Sequence, residues 1–202
     1  MNSKTRNIII IVAIVVFLGI VFFRFFVGTY DKAVAFEEDV IAKWANVESS
    51  YQRRSDLIPN LVNTVKGYAE HEQETFTQVI EARSKATQVT VDPKNIDAAA
   101  IQKFQAAQDG ISSALSRLLV VVERYPDLKA NQNFLELQAQ LEGTENRINV
   151  ARNDYNASVQ KFNTHIRGLL RKFALNVTGG EFQRKEPFKS QLGAETAPTV
   201  QF

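Results

Sequence analysis

Ile8–Phe23 reads IIIIVAIVVFLGIVFF, an unbroken apolar run, and only Arg24 separates it from Phe25, Phe26 and Val27. As a helix, the roughly 20 residues from Ile8 to Val27 cover about 30 Å, the thickness of a bilayer's hydrocarbon core. Arg24 lies near one end, where its long stem can snorkel to the headgroups. The run is apolar all round, unlike a helix that packs one face on a soluble core. A cleaved secretory signal is the competing reading, with Lys4 and Arg6 as its basic start. The run exceeds a usual signal core, however, and Arg24–Tyr30 is bulky where cleavage needs small side chains. The sequence therefore predicts a short basic tail at 1–7, a transmembrane helix over 8–27, a domain over 28–175 and a flexible tail over 176–202. The charge density of Lys4 and Arg6 favours the N-terminus inside and the domain outside.

Outward from the span, the composition excludes several classes. The chain has 24 Lys and Arg against 22 Asp and Glu. Without Lys4, Arg6 and Arg24, which belong to the anchor region, the basic residues fall just below the acidic ones. The pI near 8.8 is thus largely an anchor effect and not a nucleic-acid footprint. With no cysteine there are no disulfides, thiol nucleophiles or Cys-zinc sites.

Beyond the anchor, apolar residues recur every three or four positions. The first stripe is Phe36, Val40, Trp44, Val47 and Tyr51; the second is Ile58, Val62, Val65, Ala69, Phe76 and Val79. A third runs through Phe104, Ile111, Leu115, Leu118 and Val122, and a fourth from Phe134 through Ile148, Tyr155 and Phe162 to Leu169. Each is an amphipathic helix with a core-facing stripe, and Trp44 is expected in the core. Ser55-Asp56-Leu57-Ile58-Pro59 divides the first two, as a helix boundary or as a kink in one long helix. Val89–Asn95 is a loop around Asp92-Pro93, and Tyr125-Pro126-Asp127 ends the third helix. Asn131 or Asn133 opens the fourth, which extends to about Lys172. Gly179, Gly180, Pro187, Gly193 and Pro198 mark the tail as flexible. The predicted fold is all-α: a transmembrane helix followed by an antiparallel four-helix bundle.

Three stretches are too particular for generic bundle sequence. They are Arg53-Arg54-Ser55-Asp56-Leu57-Ile58-Pro59-Asn60-Leu61-Val62, continuing as Thr64-Val65-Lys66-Gly67-Tyr68-Ala69-Glu70-His71-Glu72; Tyr125-Pro126-Asp127-Leu128-Lys129-Ala130-Asn131 with Phe134; and Thr144-Glu145-Asn146-Arg147-Ile148 with Ala151-Arg152 and Tyr155-Asn156. From about Tyr30 to Ile166 the chain resembles the LemA family of bacterial membrane proteins. The resemblance implies a single N-terminal span, a mostly antiparallel helical domain and no established enzymatic activity. Gly179-Gly180-Glu181-Phe182 and Pro187-Phe188 match the family's aromatic-rich end only loosely.

The chemistry-bearing residues are few. His71-Glu72-Gln73-Glu74-Thr75 has Thr75 where a zinc protease needs its second histidine. The two histidines, His71 and His165, are preceded at three by Tyr68 and Phe162, so no Glu-x-x-His pair exists for a di-iron bundle. No nucleophile elbow or phosphate loop is present. Neither an enzyme nor a cofactor is expected.

Three non-catalytic sites are expected instead. Helix levels bring Trp44, His71 with Glu72, Ile111 and Thr144 together. Glu72, His71, Gln108, Thr144 and Asn146 are thus candidates for a buried polar layer, which fixes register or holds a small ligand. Arg53, Arg54, Asp56, Asn60, Tyr125, Asp127, Lys129 and Asn131 gather at the end far from the membrane, either capping helix ends or docking a protein partner. Arg167, Arg171 and Lys172 fall at the membrane end, where they complement a helix dipole or touch anionic headgroups. The function read from this pattern is a membrane-anchored scaffold or adaptor of the bacterial envelope. The alternative is a ligand-binding sensor domain that relays through a partner membrane protein.

Overall fold

A computed structural model describes residues 3–189. Residues 1 and 2 of the basic tail and 190–202 of the expected flexible tail lie outside the described residues.

α1 (Ser3–Lys66) is one helix of 64 residues, about 96 Å long at 1.5 Å per residue. It carries both the apolar run and the first bundle stripe. Among the described residues it is the one helix long and apolar enough to cross a membrane. Side chains from Ile8 to Phe23 are exposed, while Val40, Trp44, Val47, Ile58, Leu61 and Val65 are buried. α2 (Gln73–Thr87), α3 (Ala98–Val122), the single turn α4 (Pro126–Lys129), α5 (Gln132–Arg167) and α6 (Leu169–Val177) follow.

The pairing of α1 with α5 is antiparallel: Phe36 meets His165, Lys43 meets Asp154 and Arg54 meets Glu145. α3 rises with α1, since Trp44 touches Phe104 and Arg54 bonds Ser112. Two apolar clusters fill the bundle. The one nearer the span contains Trp44, Tyr51, Phe104, Tyr155 and Phe162; the one farther out contains Ile58, Val65, Phe76, Leu118 and Phe134.

Several expected boundaries move. Of the two readings of Ser55–Pro59, one long helix is the one that forms: α1 passes through Pro59. Proline lacks the N–H that would bond the carbonyl four residues back, and here that carbonyl is Ser55's. Arg83 of α2 donates Nε–H to the Ser55 carbonyl at 2.9 Å and satisfies it. The break comes instead at Gly67–Glu72, so the stripe from Ile58 to Val79 is divided between α1 and α2. Asn131, not Asn133, caps α5, accepting the Phe134 N–H at 3.1 Å. α5 stops at Arg167, and Gly168 turns the chain into a separate α6.

The first part of the expected flexible tail is not free. After α6, Gly179 adopts φ of 74° and the Gly180 N–H reaches the Leu175 carbonyl at 3.0 Å, the glycine-terminated helix end that reverses a chain. Residues 181–189 then run back along α5. Asn163 and Asn156, seven residues apart, each clamp one residue of this strap through its backbone. Asn163 accepts the Lys185 N–H at 3.1 Å and donates to its carbonyl at 2.8 Å; Asn156 does the same for Phe188 at 2.8 and 3.2 Å. Phe188 is buried, stacked on Trp44 at 5.8 Å, with the Arg152 guanidinium 4.6 Å from its ring centre. Lys185 is buried too, paired with Glu37 at 2.9 Å and bonded to the Lys94 carbonyl.

Candidate functional site

Among the described residues, a polar layer lies between the two apolar clusters. Its centre is Arg54, whose side chain is 2% exposed. Both terminal nitrogens are used: Nη1 donates to Ser112 Oγ at 3.0 Å and to Glu145 Oε1 at 2.7 Å, and Nη2 to the Gln108 carbonyl at 3.2 Å and its Oε1 at 2.8 Å. A buried cation needs this density of acceptors, and Glu145 supplies its counter-charge. Gln108 and Thr144 are buried, and Thr144 bonds the Gln140 carbonyl at 2.7 Å. The other expected members are elsewhere. His71 and Asn146 are exposed, and Glu72 lies half-buried in the turn at the far end of the bundle. The levels shift because the helix break falls at Gly67–Glu72 rather than at Pro59. Arg54, placed by the sequence in the docking surface, is the layer's core; its neighbour in sequence, Arg53, faces out.

At the end far from the span, polar side chains tie the turns together. Glu72 pairs with Arg124 at 2.9 Å and accepts the Tyr125 hydroxyl at 3.3 Å. Asn131 donates to the Tyr68 hydroxyl at 2.8 Å while capping α5, and Lys129 pairs with Glu123 at 2.6 Å. Asp127 is exposed beside them. Arg53, Asp56 and Asn60 are exposed on α1 about 10–20 Å below that end by helical rise, with Asp56 accepting from Gln52 at 2.7 Å. The expected surface therefore divides into a terminal group and a lateral group.

At the membrane end, Arg167, Arg171 and Lys172 are exposed. His165, which the sequence left without a role, is buried beneath them and donates Nε2–H to the Thr29 carbonyl at 3.0 Å. A cleft of about 900 Å³ opens there between α1, α5 and α6. It is lined by Arg24, Lys32, Lys161 and Arg171, and none of its lining residues is acidic. Sequence reasoning missed it because its four cations come from three helices. Among the described residues, no group of three or more His, Asp or Glu side chains could hold a metal ion.

The family model described as the LemA family matches residues 43–202. The chain belongs to the LemA family. The match includes the strap, so this return segment is part of the LemA domain and not an appendage to it. Among individual relatives, Protein LemA of Metamycoplasma hominis is 23% identical over 146 residues, covering 72% of this chain and 63% of that protein. Magnetosome protein MamQ 2 of Paramagnetospirillum magneticum is 27% identical over 206 residues, covering 94% of this chain and 73% of its own. Magnetosome protein MamQ of Magnetospirillum gryphiswaldense is 26% identical over 184 residues, covering 83% and 67%.

Proposed function

We propose that this LemA-family protein is a membrane-anchored adaptor that holds a rigid helical domain at a fixed height above a bacterial membrane and docks an envelope protein. The observation that carries this reading is the unbroken α1. The helix that crosses the bilayer is also the central helix of the domain, so no linker separates anchor from core. An antiparallel four-helix core, made of the outer half of α1 with α2, α3 and α5, supports a stiff display. The basic start of the chain supports an N-terminus inside and a domain outside.

The docking surface is the terminal group Tyr125, Asp127, Lys129 and Asn131, with Arg53, Asp56 and Asn60 along its flank. Arg and Tyr are favoured anchors in such surfaces. The test is in-cell photo-crosslinking from single positions. Asp127 and Lys129 should trap the same partner, and Asn153, exposed on α5 nearer the span, should not. That product should disappear on Arg53→Glu with the anchored protein still at normal abundance. Equal trapping at Asn153, or a product indifferent to Arg53→Glu, would overturn the assignment of this surface.

A further inference from the structure

The short helix α6 is amphipathic in the opposite sense to the others. Ala174 and Leu175 face the bundle and are buried. Leu169, Leu170, Phe173 and Val177 share one face and are 87%, 70%, 60% and 61% exposed. Four large apolar side chains on one face, left uncovered, need a non-aqueous neighbour. The fold supplies its identity. Phe173 packs edge-on against Phe26 of α1 at 6.2 Å, so α6 sits at the outer end of the apolar span. Its exposed face continues the exposed run that ends at Phe23–Val27. An amphipathic helix at that height lies in the plane of the interface with its apolar side among the acyl chains.

The cleft beside α6 completes the argument. On α1, Arg24, Gly28 and Lys32 follow each other at intervals of four along one face, and α5 contributes Lys161 and Thr164 from the other wall. Arg171 of α6 adds a fourth cation to the lining. Arg24 and Lys32 are about 12 Å apart along the helix axis, so they bracket the headgroup layer just beyond the hydrocarbon core. Among the described residues, none of the four cations pairs with a carboxylate; the ion pairs of the domain use other basic residues. Phe25, exposed and also part of the lining, adds an apolar side chain to the basic cleft.

We infer that the α1–α5–α6 cleft is a binding site for an anionic phospholipid, with the negative headgroup held in the basic field of Arg24, Lys32, Lys161 and Arg171 and the acyl chains along the exposed face of α6. The inference rests on the membrane anchoring of the proposed function but not on its protein partner, so either can fail alone. It also separates Arg171 from Arg167 and Lys172: all three are exposed at this end, but only Arg171 lines the cleft.

Native mass spectrometry of the full-length protein in mild detergent tests the headgroup. Phosphatidylglycerol should stay bound where phosphatidylcholine does not. The Lys161→Gln, Arg171→Gln pair should weaken retention by about 25-fold, at about fivefold per cation near an anionic surface. The equivalent pair at the far end, Arg117→Gln with Lys66→Gln, should leave retention unchanged. Equal retention of the two lipids, or equal loss from both variant pairs, would overturn the site. Glycerol phosphate competing as well as intact phosphatidylglycerol would reveal a soluble-phosphate site and overturn the lipid assignment. Because the chain has no cysteine, Leu170→Cys can carry a polarity-sensitive dye in phosphatidylglycerol nanodiscs. Nitroxide lipids should quench it and leave the same dye at Asp127→Cys unaffected. A water-exposed, unquenched Leu170 label would overturn the placement of α6.

Discussion

Arg54 shows how a single side chain organises the interior. Its charge is sealed between two apolar clusters, and Glu145, itself 47% exposed, is the carboxylate that neutralises it. Removing Glu145 strands the charge; removing Arg54 does not strand Glu145, which can turn to water. Glu145→Ala should therefore cost about 2–4 kcal/mol, toward the low end of the range for uncovering a buried ion because Glu145 is half exposed. Arg54→Met should cost about 1 kcal/mol or less, since an apolar side chain of similar size often replaces a buried ion without loss. Urea midpoints check the order, and a costlier Arg54→Met would contradict it. Tyr51 and Tyr155 give a second residue-scale prediction. Burial pushes both phenols above the ordinary value near 10, against the partial pull of Arg152 and Arg54 on Tyr51. A raised folded value means that the stabilisation is complete below the unfolded pKa and is lost as pH rises through the folded one. Tyr51 and Tyr155 should therefore stay protonated until the near-ultraviolet dichroism collapses. Ionisation of Tyr51 and Tyr155 near pH 10 with the native dichroism intact, assigned with the Tyr51→Phe and Tyr155→Phe variants, would contradict this.

At the scale of elements, α1 shows why Pro59 is ambiguous. A proline with a capping Asp56 nearby reads as a helix boundary or as a point within one long helix, and local sequence holds no sign that Arg83, on the next helix, will satisfy the Ser55 carbonyl and decide for the latter. Pro59→Ala restores the internal bond to Ser55, so Arg83→Ala should destabilise the natural chain by about 1–3 kcal/mol but cost clearly less in the Pro59→Ala background. Additive losses in that double-mutant cycle would contradict the compensation. The strap was illegible for a related reason. Gly179, Gly180 and Pro187 give it the composition of a disordered tail, while the groups that order it, Trp44, Asn156 and Asn163, are contributed by other helices. The span, the apolar stripes and the Tyr125-Pro126 stop were all legible, because periodicity and local turn chemistry decide them. Levels across the bundle were not, since one misplaced helix break moves His71 and Glu72 from mid-bundle to its far end.

For the whole molecule, the domain closes on itself through the strap. A version beginning at Tyr30 and ending at Phe202 should be soluble and melt cooperatively, whereas one ending at Thr178 should melt about 10 °C lower. Losing Phe188 alone removes about 3–5 kcal/mol of aromatic packing, and each kcal/mol shifts a protein of this size by about 2–4 °C. Equal melting temperatures would show that the strap adds nothing. The central claim, however, is that anchor and domain are one rigid body, because one helix serves both. Val21 is exposed on the apolar span and Ser49 is exposed on the bundle's α1, 28 residues farther along. Spin labels on Val21→Cys and Ser49→Cys in the nanodisc-reconstituted, full-length protein measure that continuity directly by double electron–electron resonance. An unbroken helix predicts a single narrow distance distribution near 42 Å before the label arms are added. A broad distribution, or one centred well below that distance, would mean a hinge between membrane and bundle and would contradict the account.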